Sequence, residues 1–482
     1  MLHIFAAVKK FPRTFWTANS MELFERWAYY GVFNLLALYL TSSTETGALG
    51  FTQVEKGLLM GTVNAILYFL PIITGAIADK LGYKKMLVIS YVILSSGYLL
   101  MGYTSSFAMV FLSFFYVAIG AALFKPIISA TIAQTTDEDN SSLGFGFFYM
   151  IVNIGGLIGP VMASELREIS WKLVFISSSA AIGINLILVL LFYKEPQRLE
   201  KQENLGKTIT KILKNIIHAL GDTKLLLFLI IIVGFWTVFW QYFYSLPVFI
   251  EQWTKTGMIY QGLYSVWPGF ANAVATSDGT ILAEKIIALD ALFIIIFQIV
   301  VSSIAARSKP LSVMTTGILV NGLGIVLAML TRNGWFVIFA IFIFSIGEMA
   351  ASPKILEYIG RIAPKKDAAL YMGTQYVSVA IGNFIGGFIA GPVYGNMADK
   401  IVLVKKDLIE RGIQVPELSA EFTKTHLLER AREVTGLSAT DLDHYLWNTY
   451  QPFDFVWVLA GISVLTFVSL FLYNRFILNP RS

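Results

Sequence analysis

The sequence predicts an all-α membrane protein of about twelve spanning helices, and three observations carry that prediction. Of 482 residues, 56% are apolar and only 14% are charged, where a soluble domain carries about 25%. Apolar stretches of span length recur along the chain, and about 20 residues cross the hydrocarbon core. Segments that face lipid must satisfy their backbone internally, and for runs of this length that means helices. The chain has no cysteine, so no disulfide staples it and cysteine usage is silent on compartment. The N-terminus lacks a basic, apolar and small-residue cleavage pattern, so no removable signal peptide is expected. The net charge of +5 belongs to membrane-flanking loops, and no nucleic-acid partner is expected.

Apolar runs place the spans near 20–41, 56–78, 86–104, 107–133, 143–164 and 171–193. A second set falls near 223–250, 286–306, 311–331, 334–353, 368–395 and 453–477. Orientation follows from Lys and Arg in short loops. Lys80, Lys84 and Lys85 follow the second span; Lys194, Arg198, Lys201, Lys207, Lys211 and Lys214 follow the sixth. Arg307 and Lys309 follow the eighth, and Arg361, Lys365 and Lys366 the tenth. Even-numbered spans therefore end in the cytoplasm, with both termini there, as for a multi-pass protein of the plasma (inner) membrane. The polar stretch 194–222 separates an N-terminal half, 1–193, from a C-terminal half, 223–482. Two six-helix halves around a midplane site resemble the architecture of the major facilitator superfamily.

One segment of the second half is too polar to span. Residues 397–452 fall outside by the loop count and predict an extracytoplasmic lobe of short amphipathic helices. Gly412 reads as a helix stop, Ser419 and Ser438 as N-caps, and Gly436 as a C-cap between them. The lobe is read either as a solvated cover of the outer mouth or as a substrate lid.

The first span carries the most informative chemistry. Glu22, Glu25, Arg26, Tyr29 and Tyr30 repeat every three or four residues, so they share one helix face. A charge at the bilayer centre costs roughly 2.5–3.5 kcal/mol or more, so this stripe must face a polar interior. One Arg cannot balance two acids equally, which makes one acid a natural proton carrier. The alternative is a static ion pair that fixes helix packing.

These residues form Glu-x-x-Glu-Arg followed by Tyr-Tyr-Gly31, and here the chain resembles the proton-dependent oligopeptide transporter family. Gly75-Ala-Ile-Ala-Asp79-Lys-Leu-Gly82 is similar to the loop shared by major facilitators. Phe124-Lys125-Pro126 matches the family's fourth helix. Phe148-Tyr149 through Asn153, Gly155, Gly156 and Pro160 matches its fifth. Gly347-Glu348 with Ser352-Pro353, then Ala363-Pro364, Met372-Gly373 and Gly382-Asn383, match its tenth and eleventh. The resemblance covers nearly all of the membrane portion. It implies that Lys125 faces a peptide carboxylate, that Glu348 with Asn153 faces the amine, and that Tyr29, Tyr30 and Tyr68 line the pocket. By the residues alone, Lys125 and Glu348 each need a partner or a wet cavity, and a permanent bridge between them is the other reading.

Four positions depart from the family pattern. Phe33 stands where Arg is usual, and Trp240, before Gln241, stands where an acid is usual. Gln375 replaces a Trp, and Asp290 aligns with an Asn. Losing Arg and acid together preserves charge balance, since one buried unpaired charge costs several kcal/mol. The resemblance thus implies a proton-coupled symporter importing di- or tripeptides by alternating access, with protons, substrate and the lipid bilayer as partners and no cofactor. The departures keep open another small zwitterionic or amphiphilic solute, or a transport-inactive sensor. An enzyme is not expected: no nucleophile–His pair or metal cluster lies in the spans, and His3, His218, His426 and His444 fall outside them.

Overall fold

The structure is a computed structural model that describes residues 11–137, 140–196, 205–364, 368–419 and 421–478. His3, Arg198, Lys201, Lys365 and Lys366 lie outside the described residues. Among the described residues the regular structure is helical, with one isolated bridge between Lys255 and Asn333.

The helices in order are α1 (Arg13–Thr41), α2 (Gln53–Phe69), α3 (Pro71–Leu81), α4 (Tyr83–Tyr103), α5 (Phe107–Gln134), α6 (Ser141–Ile169), α7 (Trp171–Leu191) and α8 (Leu205–Leu220). There follow α9 (Thr223–Phe239), α10 (Gln241–Tyr244), α11 (Leu246–Trp253), α12 (Gly257–Val266), α13 (Pro268–Val274), α14 (Ala283–Ile287), α15 (Leu289–Ala305) and α16 (Pro310–Met329). The last are α17 (Gly334–Ile362), α18 (Ala368–Phe388), α19 (Tyr394–Ala398), α20 (Lys400–Glu410), α21 (Lys424–Thr435), α22 (Ala439–Tyr450) and α23 (Phe455–Leu472). Among the described residues, ten helical stretches are long and apolar enough to cross a membrane, and the bent pair α2–α3 makes an eleventh. Helix α1, 29 residues long, carries Glu22, Glu25 and Arg26, too many charges to count by composition. Adding it brings the spans to twelve. It begins at Arg13, two turns before the expected start, so Glu22 sits well inside the helix.

The chain packs as two compact units, each made of separate stretches: Met1–Val32, Val63–Leu226 and Ile362–Ala380 in the first, and Phe33–Thr62, Leu227–Arg361 and Ile381–Ser482 in the second. In the first unit α4 lies against both α5 and α7. Its buried residues Leu87, Tyr91, Leu94, Tyr98 and Met101 recur every three or four positions, which is one helical face. Pro71 has no N–H to continue α2, and the axis turns by 44° there. The 194–222 stretch, expected as plain linker, contains α8. Its apolar face, including buried Ile216 and Ala219, packs on α3.

In the second unit α16 packs along α23, and α11 contacts α14 and α16. Residues 397–452 form α20, α21 and α22, as short amphipathic segments predict. Gly412, at φ +79°, follows α20, and Gly436, at φ +69°, ends α21. Ser438 caps α22, accepting from the Asp441 N–H at 3.1 Å. Ser419 is not the cap of α21. Its hydroxyl accepts from Glu421 and Phe422 N–H groups and holds a turn, while Thr423 accepts from His426 and starts the helix. Lys424 then reaches the carbonyls of Thr41 (2.5 Å) and Phe51 (2.9 Å). Burial there holds the Lys424 ammonium pKa below the ordinary lysine value.

Candidate functional site

The first unit contains a cavity of about 660 Å³ whose wall includes Glu22, Arg26, Tyr68, Lys125, Tyr149 and Tyr376. Helix α1 supplies its charged edge. Arg26 Nε donates to Glu25 Oε2 at 2.6 Å and lies 3.2 Å from Glu22 Oε1. A second guanidinium nitrogen pairs with Glu25. All three side chains are buried. The guanidinium lies over the rings of Tyr29 (5.1 Å) and Tyr30 (5.8 Å), so cation–π attraction supplements the carboxylates. Glu25 Oε1 is buried with no hydrogen-bond partner among the described residues.

Two glycines allow α1 to approach α6 this closely. A Cβ on Gly155 would sit 2.6 Å from Arg26 Cβ and 3.1 Å from the Trp27 nitrogen. One on Gly159 would meet the Gly31 nitrogen at 2.9 Å. Asn185 of α7 fixes α1 from another side, donating to Met21 O at 2.8 Å.

Lys125 enters the cavity from α5, with its ammonium 4.5 Å from the Tyr68 ring centre and 5.7 Å from that of Tyr29. No carboxylate pairs with it among the described residues. Its neighbour Pro126 cannot donate to Ala122 O, and Thr74 of α3 fills that place, its hydroxyl donating to Ala122 O at 2.6 Å. Thr74→Val keeps the shape and removes the donor. A buried acceptor left unmet costs about 1–3 kcal/mol. The variant is expected to melt several degrees lower in detergent; an unchanged melting point would show that the carbonyl finds another donor.

Asn153 does not join this cavity wall. Its amide donates to Tyr149 O at 2.9 Å, one turn back on its own helix. Gln375 is buried in the same unit, one residue from the wall residue Tyr376.

The remaining candidates lie in the second unit. Phe33 and Trp240 meet edge to face with ring centres 6.0 Å apart, and both contact Phe243 and Tyr244. Gln241 is fully buried with its amide engaged. It donates to Gly386 O at 2.9 Å and accepts from Ser245 at 2.6 Å, bracing the short α10 against α18. Asp290 accepts from the Ser345 hydroxyl at 2.6 Å, and Ser345 is one turn before Glu348 on α17. The two acids expected separately therefore share a neighbourhood. Glu348 Oε2 is buried without a hydrogen-bond partner among the described residues.

One residue escaped the sequence reading. Lys56 is fully buried, donating to Tyr244 O at 2.7 Å under the Tyr394 ring, 5.1 Å from its centre. At the edge of an apolar run it reads as a loop-flanking lysine; only the packing of α2 encloses it.

A family model described as Major Facilitator Superfamily matches residues 23–286, more than half of the chain. The chain belongs to the Major Facilitator Superfamily. Among curated proteins, this facilitator is 25% identical to dipeptide and tripeptide permease A of Citrobacter koseri, over 79% of the chain and 84% of that protein. It is 24% identical to the permease A of Escherichia coli over 82% and 87%. It is 29% identical to the uncharacterized transporter YclF of Bacillus subtilis, but there the match spans only 40% of this chain and 39% of the relative. Among solved structures, a POT family transporter in complex with 5-aminolevulinic acid superposes with a TM-score of 0.67 at 18% identity, covering 97% of this chain and 100% of that one. Peptide transporter POT in complex with sulfate does so at 0.62 and 19%, covering 96% and 94%. The facilitator fold and the resemblance to peptide transporters stated from the motifs therefore stand.

Proposed function

We propose that this facilitator is a proton-coupled symporter that imports short peptides by alternating access. The observation that carries the reading is the cavity bearing Glu22, Arg26 and Lys125 on one wall system, joined by Tyr68. A wet pocket with fixed cations and a carboxylate suits a zwitterion, and buried charges in a span are retained where they act. Glu22, Glu25 and Arg26 form the proton-sensing cluster: the surplus carboxylate is neutralised when a proton binds. Lys125 holds the substrate carboxylate. Glu348, beside Asp290, holds the amine; Asn153, engaged with its own helix, turns toward substrate only by giving up that bond. The halves 1–193 and 223–482 move as the rocking bodies, with 397–452 outside the membrane, both termini in the cytoplasm and the chain in the plasma membrane. The names of the permease relatives support the substrate class.

A second reading has a specific observation behind it. The aromatic pair Phe33–Trp240 stands where the family resemblance leads one to expect Arg and an acid. That loss leaves Lys125 the main cation for a carboxylate and favours amphiphilic solutes other than peptides.

Reconstituted vesicles decide between these. With an inward proton gradient, a labelled dipeptide is expected to accumulate above its outside concentration, and collapse of the gradient abolishes this. Accumulation of aminolevulinate but not dipeptide selects the second reading. Gradient-independent equilibration of both removes proton coupling.

A further inference from the structure

We propose a second binding site, within the second unit, for the phosphate of an anionic phospholipid headgroup. Two connections at the ends of spans meet there. Lys255, just past α11, donates its N–H to Arg332 O at 2.8 Å, and Lys255 bridges to Asn333 between α16 and α17. Helix α22 closes over them with Asp443, His444, Trp447 and Asn448. A cavity of about 440 Å³ opens between these pieces, lined among others by Lys255, Arg332, Asn333, His444 and Asn448.

The wall is rich in unmet positive charge. Among the described residues Asp443 is the one carboxylate paired with these cations, and it is shared: Lys400 lies 3.0 Å from it and Arg332 3.8 Å. Arg332 is braced from behind, its Nε donating to Trp253 O at 3.2 Å and its guanidinium 5.7 Å from the Trp447 ring centre. Its Nη1 is buried with no hydrogen-bond partner among the described residues. The Lys255 ammonium meets only the His444 ring nitrogen, at 3.1 Å, and no carboxylate among the described residues. A phosphate oxygen placed between Lys255, His444 and Arg332 would supply the missing acceptor through charge-assisted hydrogen bonds.

The surroundings name the source of the phosphate. Met258 and Leu330 form part of the wall and are themselves exposed, as are Trp335, Phe336 and Phe339 on the adjoining turns of α17. Met258 lies in a stretch, 257–277, without a single charged residue. It folds as α12 and α13 and presents exposed Tyr264, Val266, Trp267 and Phe270. Aromatic and apolar exposure at span ends is the composition of a membrane interface. A cationic pocket edged by such a surface receives a headgroup while the acyl chains lie along the apolar apron.

The test uses the full chain in nanodiscs, with phosphatidylglycerol or phosphatidylcholine as the added lipid, and native mass spectrometry to count retained lipid. Parent protein is expected to retain phosphatidylglycerol in preference. Lys255→Gln with His444→Gln, both at exposed side chains, should weaken that retention by about tenfold or more, with an unaltered elution profile showing that the fold persists. Asn448→Glu, which adds a competing carboxylate to the wall, should do the same. Equal retention by parent and both variants overturns the site. Binding of inorganic phosphate alone, with no preference between the lipids, overturns the lipid assignment.

Discussion

Glu25→Gln is expected to abolish uphill accumulation of substrate in vesicles, leaving uptake at equilibration, while exchange of substrate across the membrane continues. The amide keeps the shape and an oxygen for the Arg26 Nε that Glu25 now receives at 2.6 Å. It removes the surplus charge, because Arg26 then faces Glu22 alone at 3.2 Å as a balanced pair. With nothing left to neutralise, the cluster no longer needs a proton in either state. Glu22→Gln should act alike, since the charge count is the same. Arg26→Ala is different: it leaves two buried carboxylates uncompensated, which costs roughly 3–5 kcal/mol, so folded yield should fall before transport is read. Should both Gln variants still concentrate substrate as the parent does, the cluster is a packing device and the proton moves elsewhere.

Phe33→Arg and Trp240→Glu, made singly, are each expected to destabilise severely, whereas the double change should recover much of the loss. Both side chains are almost wholly enclosed, at 2% and 3% exposure, among Phe243 and Tyr244. A lone charge placed there has no water and no partner, at a cost of about 3–5 kcal/mol. Together the new charges face each other where the rings now meet 6.0 Å apart. The aromatic contact they replace is worth roughly 0.5–1.5 kcal/mol beyond its area, so the exchange need not be complete. Melting temperatures of the four proteins form a double-mutant cycle, and strictly additive losses would show that the two positions do not meet in the working protein.

The parts of the fold that were legible are those with one dominant signal. Long apolar runs placed most span ends to within about five residues, because little else can be done with such a run, but α1 begins seven residues earlier than its apolar run and α17 continues nine residues past its own. The stripe from Glu22 to Tyr30 foretold a buried ionic cluster, since lipid offers those residues no alternative. Short elements escaped. Helices α12 and α13 are ten and seven residues, with Trp267 between them and Pro268 opening the second, too brief for periodicity to stand out. Helix α8 was hidden by its lysines, although Ile209, Ile212 and Ile216 carry the helical spacing. The cap of α21 fell to Thr423 over Ser419 because the hydroxyl that meets the first free N–H groups depends on where the turn closes. Asn153 reads identically whether its amide faces substrate or its own helix, and only the fold shows that Tyr149 O takes it. Ser345 between Asp290 and Glu348 is a contact across 55 positions, which no local pattern encodes.

Lys56 has one more consequence. Its amine is sealed beneath Tyr394 and bound to a carbonyl, and an amine in that setting cannot meet a water-borne acylating reagent. Modification must await a moment when α2 parts from its neighbours in the second unit, however brief. With fast reagent, the labelling half-time becomes the opening half-time; with slow reagent, it reports the fraction of time spent open. The protein thus carries its own clock, readable by mass on one peptide without a probe, and the same reading taken with and without substrate measures how far binding holds that packing shut.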